Sequence, residues 1–150
     1  MQIIKDKNIV DNNWTFIDDN AELINGNITV SFNRFQQEKE TLFQREGAVG
    51  IRLNADDNVA ELNADLGRLC LIELNFPNFA DGRAFSQAWL LRNRFNYIGE
   101  IRAVGDYCAD QLFYLSRVGV NAFEPFNSED INVTLSKLND FSVAYQASVN

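Results

Sequence analysis

Between residues 69 and 126 a short apolar run and a helical pattern alternate twice before a last short apolar run, and this constrains the fold more than any other feature. Residues 69–76 read as a strand whose apolar density predicts burial on both faces. A helix capped by Asp81 follows, with Phe85, Ala88, Leu91 and Phe95 at core-facing spacing. A second strand covers 97–104. Asp106 is placed to cap the next helix, in which Cys108, Leu112 and Leu115 face inward and Gly119 closes the end. A short strand at 120–126 completes the stretch.

The rest of the chain extends the same scheme. Two short strands flank a polar turn at Asp11 to Asn13, and a polar link at 18–27 leads to an alternating strand at 28–32. Asn33 caps a helix that ends at Gly47, and a strand at 48–53 follows. A turn at 54–57 opens a short helix carrying Val59, Leu62 and Leu66 and ending near Gly67. Ser128 caps a last helix, with Glu129 and Asp130 in its first turn. Apolar residues at every second position predict a terminal strand over 141–149.

Strands separated by single helices imply right-handed βα units and a mainly parallel sheet. The fold class is therefore α/β, either half of a β/α barrel or a flavodoxin-like open sheet, with an N-terminal β-hairpin. One domain is expected over 1–150, with hairpin and link at 1–27 and the βα core at 28–150. A half barrel would need a second copy to cover its exposed face, which predicts a homodimer.

Composition narrows the chemistry. The chain has no histidine, which removes the usual general base, the Ser–His–Asp arrangement and the commonest zinc ligand. A net charge of −8 argues against a dedicated nucleic-acid binder. Cys70 and Cys108 form no CxxC pair and are expected as buried thiols in a reducing compartment. No apolar run approaches the ~20 residues of a membrane span and none resembles a signal peptide, so a soluble, cytoplasmic protein is expected. Neither GxGxxG nor GxxxxGK[ST] occurs, and no cofactor or metal site is expected.

Ligands of βα folds bind at the carboxyl ends of the strands. Helix-start N–H groups at Gly82 and the guanidinium of Arg83 are expected to hold a small anion, with Ser86, Arg102 and Gly105 converging on it. Asp81 and Asp106 are the acid–base candidates if the site is catalytic, and each is otherwise a helix cap. Gln111 and Glu100 are supporting residues. Glu73 and Glu100 stand out as carboxylates inside apolar strands.

A pattern runs through this region: Phe76–Pro77, Phe79, Asp81–Gly82–Arg83, Ser86, Leu90–Leu91–Arg92, Gly99–Glu100, Arg102–Ala103, Gly105–Asp106 and Asp110–Gln111. It resembles the bacterial domain of unknown function 934 family, small proteins commonly encoded beside assimilatory sulfite reductase. The likeness is greatest from Ala48 to Glu124. Asn96 stands where that family usually has glycine, Tyr107 and Cys108 replace aliphatic residues, and Val118 replaces a cysteine. The resemblance implies an accessory protein of sulfur assimilation that binds a small anion or a partner such as sulfite reductase. A small enzyme acting on a phosphorylated or sulfated metabolite and a dimeric scaffold are the alternatives.

Overall fold

The fold was obtained as a computed structural model, which describes residues 1–77, 82–107, 109–125 and 130–149. Eight strands form one sheet: β1 (Gln2–Lys5), β2 (Asn8–Asp11), β3 (Thr15–Phe16), β4 (Ile28–Ser31), β5 (Val49–Leu53), β6 (Leu71–Phe76), β7 (Glu100–Gly105) and β8 (Ala122–Phe123). Their order is β2-β1-β8-β7-β6-β5-β4-β3, and every pair from β3 to β8 is parallel. A flavodoxin-like sheet reverses its winding direction, whereas these strands follow one another in sequence order. The half barrel is therefore the architecture adopted.

Winding in one direction by right-handed crossovers places the connecting helices on one face. These are α1 (Phe32–Gln44), a 3₁₀ segment (Val59–Arg68), α2 (Arg83–Trp89), which continues as a π turn (Leu90–Arg94), and α3 (Leu112–Arg117). The C-terminal α4 (Ile131–Val149) packs against β1 and β2. Strand residues facing the helices are apolar: Ile28, Val30, Ile51, Leu53, Ile72, Leu74, Phe76, Ile101, Ala103, Phe123 and Ile4 join one core with Phe35, Leu62, Ala88, Leu91 and Leu115. Phe76, Tyr107 and Phe123 meet edge to face or tilted at its carboxyl end.

The sheet curls strongly. A flat eight-stranded sheet would hold its edges roughly 34 Å apart at ~4.8 Å per strand. Yet only residues 12–14 connect the edge strands β2 and β3. Four Cα steps of ~3.8 Å reach about 15 Å, so the two edges must lie within that distance of each other. This link crosses the concave side, where the Asn12 side chain accepts hydrogen bonds from Trp14 N at 3.1 Å and from Arg102 Nη1 at 3.0 Å.

Several elements differ from the sequence expectations. The hairpin turns at Asp6 and Lys7, with φ of 50° and 64°, rather than at 11–13. Two successive positive φ values make the tight turn that matches strand twist, but the Asp-Lys pair lacks the glycine that normally signals it. Thr15–Phe16 then joins β4 as a parallel strand instead of closing the hairpin. Residues 141–149 are helical, not a strand. No glycine or proline interrupts the chain after Ile131, so the helix, once nucleated, propagates through the alternating segment. Ser31 rather than Asn33 caps α1, accepting from Arg34 N. Asp106 does not cap α3, which begins only after a 3₁₀ turn, Ala109–Gln111, with no side-chain cap. Cys70 is exposed just ahead of β6. Asp81, Cys108, Ser128 and Glu129 lie outside the described residues. The described residues contain no helix long and apolar enough to cross a membrane.

Gly105 ends β7 at φ +87°, and an added Cβ would sit 2.6 Å from the Phe76 carbonyl oxygen and 2.7 Å from Asn75 Oδ1. Gly105→Ala is expected to cost about 1–3 kcal/mol, read from the urea midpoint of unfolding.

Candidate functional site

Side chains alternate across a strand, so the face turned away from the helices is set by register. In one row across the sheet stand Ser31, Arg52, Glu73, Arg102, Ala122 and Lys5. Asn75 and Glu124 follow one row nearer the carboxyl ends, with Asn54 just beyond the end of β5. Asn75 Nδ2 donates to Asn54 Oδ1 at 3.0 Å. The concave face thus carries the charged and amide side chains, interspersed with Ile3, Leu71, Val104 and Ala122, where the opposite face is hydrocarbon.

Its charges interlock. Arg102 is 1% exposed and forks onto Glu100 Oε2 through Nε at 2.9 Å and Nη2 at 2.7 Å. Its third arm reaches Asn12, and Glu73 Oε2 lies 3.9 Å from it. Lys5 Nζ closes on the other Glu100 oxygen at 3.3 Å. Arg52 Nε donates to Glu73 Oε1 at 3.1 Å, and the Arg52 guanidinium stacks over Phe16 at 4.0 Å. Among the described residues, the two Nη atoms of Arg52 have no hydrogen-bond partner.

Arg52 opens into a cleft of about 290 Å³ lined by Phe16, Asp18, Asp19, Ser31, Asn54 and Asn75. Ser31 Oγ is held by Asp19 at 2.6 Å. The cleft lies at the carboxyl ends of β4, β5 and β6, where βα folds place ligands. Glu124, just beyond β8, lies on the same face outside the lining of the cleft. Burial pushes its carboxyl above the usual carboxylate range, the charge of Glu73 adds to this, and Arg52 and Arg102 oppose it.

The residues expected to form an anion site are distributed differently. Arg83 is exposed and ion-paired to Asp56 on the loop after β5. Arg102 is enclosed on the concave face, so the two arginines take different partners. Gly82 and Ser86 are exposed, and Gly82 directly precedes α2. Gly105 and Asp106 form the turn after β7, with Asp106 N donating to the Phe76 carbonyl at 2.9 Å. Gln111 ends the 3₁₀ turn before α3. Glu100 is the member of the expected set that joins Arg102 directly.

One residue passed over in the sequence reading braces the cleft. Gln87 is buried in α2, and its Nε2 donates to the carbonyls of Asn54 at 2.8 Å and Asp57 at 3.1 Å. With the Arg83–Asp56 pair, it fixes the loop that carries Asn54. Arg92 has an equivalent role at the amino end, where it donates to the carbonyls of Gly119, Tyr97 and Gly99. Arg52, Asn54, Asn75 and Glu124 were recognisable in principle, as Glu73 was. They are polar residues in, or directly after, otherwise apolar strands, two apart within β5 and β6, a spacing that puts them on one face.

A family model described as a bacterial protein of unknown function (DUF934) matches residues 50–150. The chain belongs to this family. No curated protein matches it. Within the family, the matched segment carries Arg52, Asn54, Glu73, Asn75, Glu100, Arg102 and Glu124, while the 16–31 side of the cleft precedes it. Asn96 has φ +57°, the left-handed region in which glycine is least strained and asparagine is tolerated.

Removing one member of the enclosed network strands its partners. Arg102→Met is expected to cost of order 3 kcal/mol, because Glu100 and Glu73 stay buried with less compensation. The double variant Arg102→Met/Glu100→Met should lose less than the single one, as measured by urea unfolding.

Proposed function

We propose that this DUF934 protein is a non-catalytic accessory protein of sulfite reduction that holds a small oxyanion at Arg52. The observation that carries the reading is the open guanidinium edge of Arg52 at the carboxyl ends of the strands, while its Nε is anchored to Glu73. A planar fork with its orientation fixed on one side is preorganised for two oxygens of a small anion on the other. Asn54 and Asn75 supply further hydrogen-bonding groups, the Ser31 hydroxyl being committed to Asp19, and Asp18 and Asp19 at the rim disfavour a large polyanion. The sulfur-assimilation context comes from the family resemblance, and a sulfite-reducing partner protein belongs to the proposal on the same ground.

A thermal-shift series with sulfite, sulfate and phosphate tests it. A ligand at about 100 times its Kd adds roughly 2.7 kcal/mol, a rise of at least about 5 °C for a chain of this length. The rise should vanish in Arg52→Gln, which keeps a donor for Glu73, and persist in Arg83→Ala. Loss in Arg83→Ala with retention in Arg52→Gln would move the anion to the Gly82 turn. No rise with any anion would refute the reading.

A further inference from the structure

The cleft that Arg52 opens into is bipolar. Its lining carries one guanidinium and two carboxylates, those of Asp18 and Asp19. The acidic side is held in place by the fold. Asp19 Oδ1 accepts from Ser31 Oγ at 2.6 Å, and Ser31 is the direct partner of Arg52 across the β4–β5 ladder. The backbone carbonyl of Asp18 accepts from Nη1 of the buried Arg34 at 2.7 Å. Among the described residues the Asp18 carboxylate and the second oxygen of Asp19 have no hydrogen-bond or ion-pair partner. Neither acid pairs with Arg52, whose ion-pair partner there is Glu73. Charges of opposite sign therefore face one cleft, each anchored on its own side, without cancelling one another.

A simple anion on Arg52 leaves both carboxylates uncompensated and is repelled by them. A simple cation at the acidic side meets the guanidinium. A molecule that carries both charges on a short chain satisfies each end. We infer that the cleft takes a small zwitterion, with an oxyanion head, carboxylate or sulfonate, on the Nη edge of Arg52 and an ammonium group on Asp18 and Asp19. The ammonium group offers three donors and no acceptor, which suits carboxylate oxygens. Asn54 Oδ1 already accepts from Asn75, so the Asn54 amide keeps its donors for the oxyanion. At about 290 Å³ the cleft is at the small end of the range for ligand sites, and Phe16 is its one apolar side chain among the described residues, so the carbon chain joining the two charges is short. This deepens the Arg52 reading and rests on it: the oxyanion becomes one end of the ligand.

Four probes separate the two claims. 2-Aminoethanesulfonate and 3-aminopropanoate are zwitterions at neutral pH, and ethanesulfonate and propanoate keep the anionic head without the ammonium group. Calorimetric titration of the intact protein is expected to show a zwitterion binding about tenfold more tightly than its ammonium-free counterpart, the tighter pair distinguishing a sulfonate from a carboxylate head. Asp18→Asn/Asp19→Asn, which keeps an acceptor for Ser31, should abolish this preference by weakening the zwitterion while the simple anion holds or gains affinity. A misfolded variant does not produce that crossing. Arg52→Gln should lose zwitterions and anions alike. Equal binding of a zwitterion and its counterpart to the wild type, or a preference that survives in the double variant, would overturn the zwitterion and leave Arg52 as an anion site. Failure of all four probes to bind, or zwitterion binding untouched by Arg52→Gln, would overturn both.

Discussion

Arg102 is the residue on which the concave side of this protein turns. Its guanidinium is nearly inaccessible, with two arms on Glu100 and one on Asn12. Burying such a group costs several kcal/mol, so the network is weak evidence for stability and better evidence for specificity. Asn12 belongs to the link between the two edge strands. The same guanidinium that satisfies Glu100 therefore ties down the link that brings the edges together. A register slip of one residue would turn these charges into the hydrocarbon core, which makes the polar row a strong selector of strand pairing.

The arrangement also explains how half a barrel can bury its inner face. Glu73, Glu100 and Arg102 are buried within one chain, because the sheet curls and the 12–14 link spans its open side. The carboxyl-end cleft around Arg52 stays open, and so does a second one beside the link, lined by Lys5, Asn13, Trp14, Glu100 and Arg102. Arg83 acts at the margin of the Arg52 cleft, bracing the loop that bears Asn54, while Arg92 ties together loops at the opposite end of the sheet.

The βα alternation was legible because apolar periodicity switches cleanly between two and about 3.6, and the helix-facing residues came out as expected at Val59, Leu62, Leu66, Ala88, Leu91, Leu112 and Leu115. The choice between half barrel and open sheet was not legible, since both use the same local repeat and differ only in strand order. Local chemistry misled at two places. Asn12 and Asn13 resemble turn residues but form the crossing link, and the alternation at 141–149 sits on a helix that nothing interrupts. The site was half legible. Glu100 and Arg102 were recognised from their strand, but attention went to the DGR turn because charged residues at helix starts are the more familiar anion signal. Arg52 and Glu124 carry no motif, and their meaning depends on which way a strand faces.

The central claim is that the working cation of this fold is Arg52, on the concave face. A crystal structure grown with selenate, with the selenium located by anomalous scattering, tests it most directly. The account predicts a selenium peak over the Nη edge of Arg52, among Ser31, Asn54 and Asn75. A peak at the Gly82–Arg83 turn, with none on the concave face, would contradict it.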